Sequence, residues 1–194
     1  MKKIYVFTPI FLILVIVFTG IVPIITQSES ISEKVFRLHI IANSDSDSDQ
    51  ALKLKVRDEI LKASRQLFSN CSSVEEARRR AENNIESFTS VANETISKYG
   101  YDYSVRVFTD KEYFDTRKYD GFTLPAGIYN CLKIVIGAGK GHNWWCVMFP
   151  AVCISGCTDS FDGYLSEDEK NLIENDKYII KFKIVEIYEE LINK

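Results

Sequence analysis

Thirteen residues, GHNWWCVMFPAVC from Gly141 to Cys153, hold both tryptophans of the chain, one of its two histidines and two of its five cysteines. A cysteine beside a histidine can do nucleophilic chemistry: the thiolate attacks, the imidazole takes the proton, and a further group such as His39 or Asp45 orients the ring. Strand spacing speaks against this pair. If the run is extended, His142 and Cys146 share a face but lie about 13 Å apart, beyond hydrogen-bond reach. His39 could still approach Cys146 from a neighbouring strand, so a cell-envelope cysteine hydrolase using Cys146 stands as the alternative reading.

The other use of the thiol is a bridge. Cys146 and Cys153 are separated by six residues that include Phe149 and Pro150, enough to reverse direction. Closing so small a loop stabilises by roughly 2–3 kcal/mol in the chain-entropy view. Trp144 and Trp145 are adjacent, so on a strand they face opposite ways: one enters the core, and the other is covered by a helix or left as a binding anchor. His39 reads as a satisfied strand residue. Asp45, Asp47 and Asp49 read as turn and cap groups, because the run lacks the glycine and distal glutamate of a calcium loop. There is no C-x-x-C pair and the two histidines are far apart, so neither a metal nor a cofactor is expected.

Several elements must position these residues. Val35–Ala42 alternates, with Phe36, Leu38 and Ile40 on one face and Arg37 and His39 on the other, which predicts a strand with one buried face. The NSDSDSD run that follows predicts a turn and a helix start near Ser48, with Asp47 and Gln50 at capping-box spacing. Leu52, Val56, Ile60, Ala63 and Leu67 mark one face of that helix, with Lys53, Arg57 and Lys62 outside it. Ser73-Val-Glu-Glu76 caps a second helix, whose apolar positions Ala77, Ala81, Ile85, Phe88, Ala92 and Tyr99 run on to Gly100.

Strands are expected over Tyr101–Val107, Tyr129–Ile136 and Trp144–Phe149, the last two joined as a hairpin through Gly137–Gly141. That glycine loop is no phosphate cradle, since a strand and not a helix follows it. Ser166-Glu-Asp-Glu169 caps another helix, and a last one is expected from about Ile184. The pattern is α+β: a single domain with a mainly antiparallel sheet of about four strands, packed by two long helices and a C-terminal helix.

Lys2 and Lys3 precede an uncharged, apolar stretch from Ile4 to Ile25. As a helix it would rise about 33 Å, enough to cross a hydrocarbon core of about 30 Å. Residues 1–27 are therefore either a signal peptide or a membrane anchor, and residues 28–194 an exported domain. The chain carries net charge −3 with two of its lysines in that first segment, so the exported part is more acidic still. Nucleic acid is not an expected partner. In an oxidising compartment five cysteines permit at most two bridges, leaving one thiol over.

RLHIIANSDSDSDQALKLKVRD (Arg37–Asp58), PAGIYNCLKIVIG (Pro125–Gly137) and GHNWWCVMFPAVC (Gly141–Cys153) resemble signature segments of the stage II sporulation protein R family. The family's motif residues fall here on Arg37, Asn43, Ser44, Asp45, Asp49, Gln50, Arg57, Asn143, Trp144, Trp145, Cys146 and Cys153. The resemblance implies a signalling protein of endospore formation, not an enzyme, exported across the forespore membrane into the intermembrane space. There it would activate the membrane-embedded aspartic protease that processes the sigma E precursor. The candidate partner-binding residues are His142, Asn143, Trp144, Trp145, Phe149 and Pro150, with Arg37, Asn43 and Asp45. Pro150-Ala151 departs from the family's two prolines, and Cys131 and Cys157 look like additions that leave the pairing of Cys153 open.

Overall fold

The structure is a computed structural model and describes residues 4–150, 161–175 and 178–192. Its elements run α1 (Ile4–Lys34), β1 (Phe36–Ile41), α2 (Asp47–Phe68), α3 (Val74–Asn83), α4 (Ile85–Lys98), β2 (Val105–Phe114), β3 (Arg117–Lys118), β4 (Thr123–Leu124), β5 (Gly127–Ile136) and β6 (Asn143–Phe149). Two further helices follow, α5 (Glu167–Glu174) and α6 (Ile179–Ile192). The fold is α+β with a mainly antiparallel four-stranded sheet. Two compact units can be distinguished: residues 1–32, 114–127 and 167–194 in one, residues 33–113 and 128–166 in the other.

The first unit holds the two-stranded β3–β4 ribbon and buries Phe122, Leu124, Leu172 and Phe182. Ser30 donates to Glu169 at 2.6 Å within it. α1 carries the apolar stretch assigned above to a signal or anchor. Among the described residues no helix is long and apolar enough to cross a membrane. α6 begins at Ile179, earlier than the expected Ile184.

The second unit holds the sheet, in the order β2-β5-β1-β6. β1 is therefore interior. It pairs parallel with β5 (Leu38 opposite Leu132) and antiparallel with β6 (Leu38 opposite Cys146). One face of β1 buries Phe36, Leu38 and Ile40 in a core with Leu52, Val56 and Ile60 of α2 and Phe88 and Ile96 of α4. The other face is buried too: Arg37 has no exposed surface and His39 only 7%. The expected single buried face is thus corrected, because an interior strand can be covered on both sides whatever its alternation suggests.

The expected hairpin is corrected as well. β5 and β6 are not neighbours, since β1 lies between them. The Gly137–Gly141 loop steps across the end of β1, where Gly141 N donates to Ala42 O at 2.9 Å and Lys140 N to Asn43 O at 3.1 Å.

Helix starts follow the capping chemistry with small shifts. Ser46, not Asp47, caps α2: its backbone is extended and its hydroxyl accepts from Asp49 N. Gln50 does not close a box with Asp47, since its amide donates to Ser44 O. The buried stripe of α2 runs Leu52, Val56, Ile60, Ser64, Phe68, while Ala63 is exposed. Ser73 caps α3 as expected. The long second helix is two, divided at Asn84, where Asn84 N donates to Ala81 O and its side-chain amide donates to Arg80 O, the acceptor that an unbroken helix would give Asn84 N. α4 stops before Gly100 (φ +80), with Tyr101 N closing back on Ile96 O.

Candidate functional site

At the C-terminal end of β1 the chain leaves the sheet as Asn43-Ser44-Asp45 and enters α2, and the glycine loop passes beside it. Asn43 ties the two together: its amide donates to Asp49 Oδ2 (2.8 Å) and its carbonyl accepts from Ala138 N (2.9 Å). Ser44 donates to the same carboxylate oxygen at 2.6 Å. Burial by itself would raise the Asp49 pKa, but hydrogen bonds from Ser44, Asn43, Tyr103 and Ser46 hold it below the usual aspartate value. Asp49 is therefore a buried carboxylate anchor, which goes beyond the turn-and-cap role expected of it.

Lys53, expected on the outer face of α2, is 4% exposed and donates to Gln50 Oε1 (2.6 Å) and to His142 O (2.8 Å). Asp45 accepts from His142 N at 2.6 Å, and its carboxylate lies 2.5 Å from His142 Nδ1. The loop fits so closely that only glycine is admitted. A Cβ on Gly141 would sit 2.2 Å from Ser44 O, and one on Gly137 would sit 2.3 Å from Asn43 Oδ1. The clasp thus fixes where β6 begins and what it shows.

What it shows differs on the two faces of β6. Trp144 lies on the helix side, partly buried, with the Arg57 guanidinium 4.4 Å over its ring. Its indole N–H is buried with no hydrogen-bond partner among the described residues. Trp145 lies on the opposite side with its ring 5.8 Å from that of His39, and it is half-buried. Neither tryptophan is fully core. His142, Asn143 and Asp45 are exposed, whereas Arg37, Phe149 and Pro150 are buried and offer no surface. Arg37 is spent on packing, its guanidinium 4.8 Å over the Tyr129 ring.

His39 joins three strands. Its Nδ1 lies 2.6 Å from Glu112 Oε2 on β2 and its Nε2 2.9 Å from Asn143 Oδ1 on β6. Lys133 on β5 donates to the other Glu112 oxygen, and the Cys131 thiol points at Oε2 from 3.6 Å. Burial and then the Glu112 charge push the Cys131 thiol far above its ordinary range, so it is no nucleophile. Glu112, Lys133 and Lys53 were missed in the sequence because their partners are distant along the chain.

The proposed Cys146–His39 pair is not assembled. Cys146 stands opposite Leu38, on the helix side of the sheet, while His39 stands opposite Trp145 on the other. No group of three or more His, Cys, Asp or Glu side chains could hold a metal among the described residues. Cys71 and Cys131 are free and buried. Cys153 and Cys157 lie outside the described residues, so the expected Cys146–Cys153 pairing does too.

Fold and site together define an α+β domain whose scarce residues are used to fix and display one end of a sheet. The chain belongs to the stage II sporulation protein R family, whose family model matches residues 32–159. It is 41% identical over 127 residues to stage II sporulation protein R of Bacillus subtilis strain 168, covering 66% of this chain and 57% of that protein. The chain therefore spans little more than half the length of that relative. No solved structure matches it. Family membership supports a role in sporulation.

Proposed function

We propose that this chain is an intercompartmental signal of endospore formation. It is exported across the forespore membrane and activates the membrane-embedded aspartic protease that processes the sigma E precursor. The observation that carries this reading is the clasped end of the sheet. There Asp45, His142 and Asn143 are exposed beside half-buried Trp145, on a backbone pinned by the Asn43–Asp49 and Lys53–His142 hydrogen bonds. A tryptophan rimmed by fixed polar groups has the composition of a binding hot spot. The apolar segment of α1 serves as the export signal or anchor. A bridge from Cys146 to Cys153 fixes the end of β6, which agrees with Cys71 and Cys131 being free and Cys146 not being among the free cysteines of the described residues.

Activation requires differential binding. To turn a rare active form of the protease into the dominant one, the domain must favour it by about 5 kcal/mol. The test is Trp145→Ala, scored by processing of the sigma E precursor in sporulating cells and by the thermal melt of the purified variant. Lost processing with an unchanged melt supports the reading. Normal processing with the variant secreted at wild-type level sinks Trp145 as the anchor.

A further inference from the structure

His39 is buried with a polar atom on each side of its ring, Glu112 Oε2 on Nδ1 and Asn143 Oδ1 on Nε2. Among the described residues the charged and titratable groups on this side of the sheet include Glu112, the exposed Asp110 and, by strand alternation, Arg106 on β2, Tyr129, Cys131 and Lys133 on β5, and Arg37 two residues back on β1. β6 brings Asn143 and Trp145 to it.

Glu112 determines which ring nitrogen can lose its proton. Its carboxyl group is desolvated, but hydrogen bonds from Lys133 and His39 more than offset that and keep it ionised. An ionised carboxylate only accepts, so Nδ1 must carry a hydrogen whether the ring is charged or neutral. The proton that comes and goes is therefore the one on Nε2, facing Asn143. When Nε2 is protonated it needs an acceptor, and Asn143 Oδ1 supplies one at 2.9 Å. When Nε2 is bare it needs a donor, and half a turn of the carboxamide brings the amide nitrogen to the same place. The two ends of a carboxamide are nearly equal in size, so packing does not resist the turn.

We propose that His39 is a positioning residue whose Nε2 proton sets the direction of the exposed Asn143 carboxamide. With His39 charged, Asn143 shows its NH2 outward and the start of β6 offers a donor, suited to a carboxylate or a backbone carbonyl of a partner. With His39 neutral, it shows its carbonyl and suits an N–H group. The hydrogen-bond polarity of the display surface is thereby coupled to pH through a residue with little surface of its own. The recognition consequence rests on the proposed function, whereas the proton arrangement does not.

The test uses the full chain labelled uniformly with 15N and no partner. Its two histidines are distinguished by His142→Gln, since the His142 side chain is exposed and its Nδ1 meets Asp45 and not His39 or Glu112. As the pH is varied while the chain stays folded, the His39 Nδ1 signal should remain that of a protonated nitrogen, and the ring nitrogen whose signal changes should be Nε2. The Asn143 side-chain amide signals should shift with it. A neutral His39 carrying its hydrogen on Nε2, or a ring whose nitrogens do not change while the chain stays folded, would overturn the proposal. Because the measurement is made on the free chain, it can fail while Trp145→Ala still abolishes processing, and the reverse.

Discussion

Gly141 is the position where the clasp can be tested most directly. Its backbone is not in the left-handed region, so alanine meets no conformational penalty there and any cost is steric. The added methyl would lie 2.2 Å from Ser44 O, 2.6 Å from Ser44 C and 2.9 Å from Ala42 Cβ, none of which belongs to a flexible side chain. The two backbone segments must part, which strains or breaks the Gly141–Ala42 and Lys140–Asn43 hydrogen bonds. Overpacking costs about 1–3 kcal/mol and each lost hydrogen bond about 1 kcal/mol, so Gly141→Ala should destabilise by about 3 kcal/mol. In a chain of 194 residues this lowers the melting temperature by about 6–12 °C. Differential scanning calorimetry of Gly141→Ala against Gly20→Ala, where nothing lies within 4 Å, isolates the steric effect. A Gly141→Ala melt indistinguishable from wild type would show that the loop does not clasp β1, and the account of how β6 is placed would fail with it.

Four further outcomes follow from the same geometry. Arg57→Met should cost about 1 kcal/mol through the loss of its stacking on Trp144, and the double-mutant cycle with Trp144→Phe should show coupling of about 0.5–1 kcal/mol in urea unfolding. The Asp49 pKa is lowered on folding, so its contribution to stability is present above the ordinary aspartate range and is lost as pH falls through the depressed folded value. Asp49→Asn should therefore be less stable at neutral pH and lose less stability on acidification, which unfolding at a series of pH values will check. Glu76, drawn down to about 2 by hydrogen bonds from the Ser72 backbone and hydroxyl and from Arg80, adds acid sensitivity of the same sign, and Glu76→Gln should reduce it. Cys71 and Cys131 should react with a thiol reagent only on unfolding, since both are buried and both have raised pKa values; rapid labelling of either in the native protein contradicts the packing.

Much of this was legible locally. The helix that begins in NSDSDSD, the cap at Ser73 and the stop at Gly100 are written in residues that bond to their own backbone within a few positions, and each appears within about a residue of where it was expected. Neighbour relations were not legible. A run of glycines says that the backbone must come close to something, yet it does not say that Ser44 O is that thing, so a crossover looked like a hairpin. Apolar periodicity passes through Asn84 unbroken, so it could not reveal that an asparagine amide had taken Arg80 O and divided the helix. The alternation in β1 placed Arg37 and His39 correctly on the face away from Leu38. It said nothing of whether that face was covered, which depends on Tyr129 and Glu112 far along the chain.

The arrangement explains why so many polar groups are spent at one end of the sheet. β6 ends the described strand order, so the backbone of its first residues is held by β1 on one side only. An end of that kind slides or frays unless it is pinned, and sliding by one residue would exchange the faces of Trp144 and Trp145. The pins act from three directions: Lys53 on His142 O from α2, Asp45 on His142 N from the loop after β1, and His39 on Asn143 from within β1. Each grips a residue immediately before the tryptophans, so together they fix register at the point where a slip would begin. Loss of any one pin should therefore show first in the environment of Trp145 rather than in the core beneath α2.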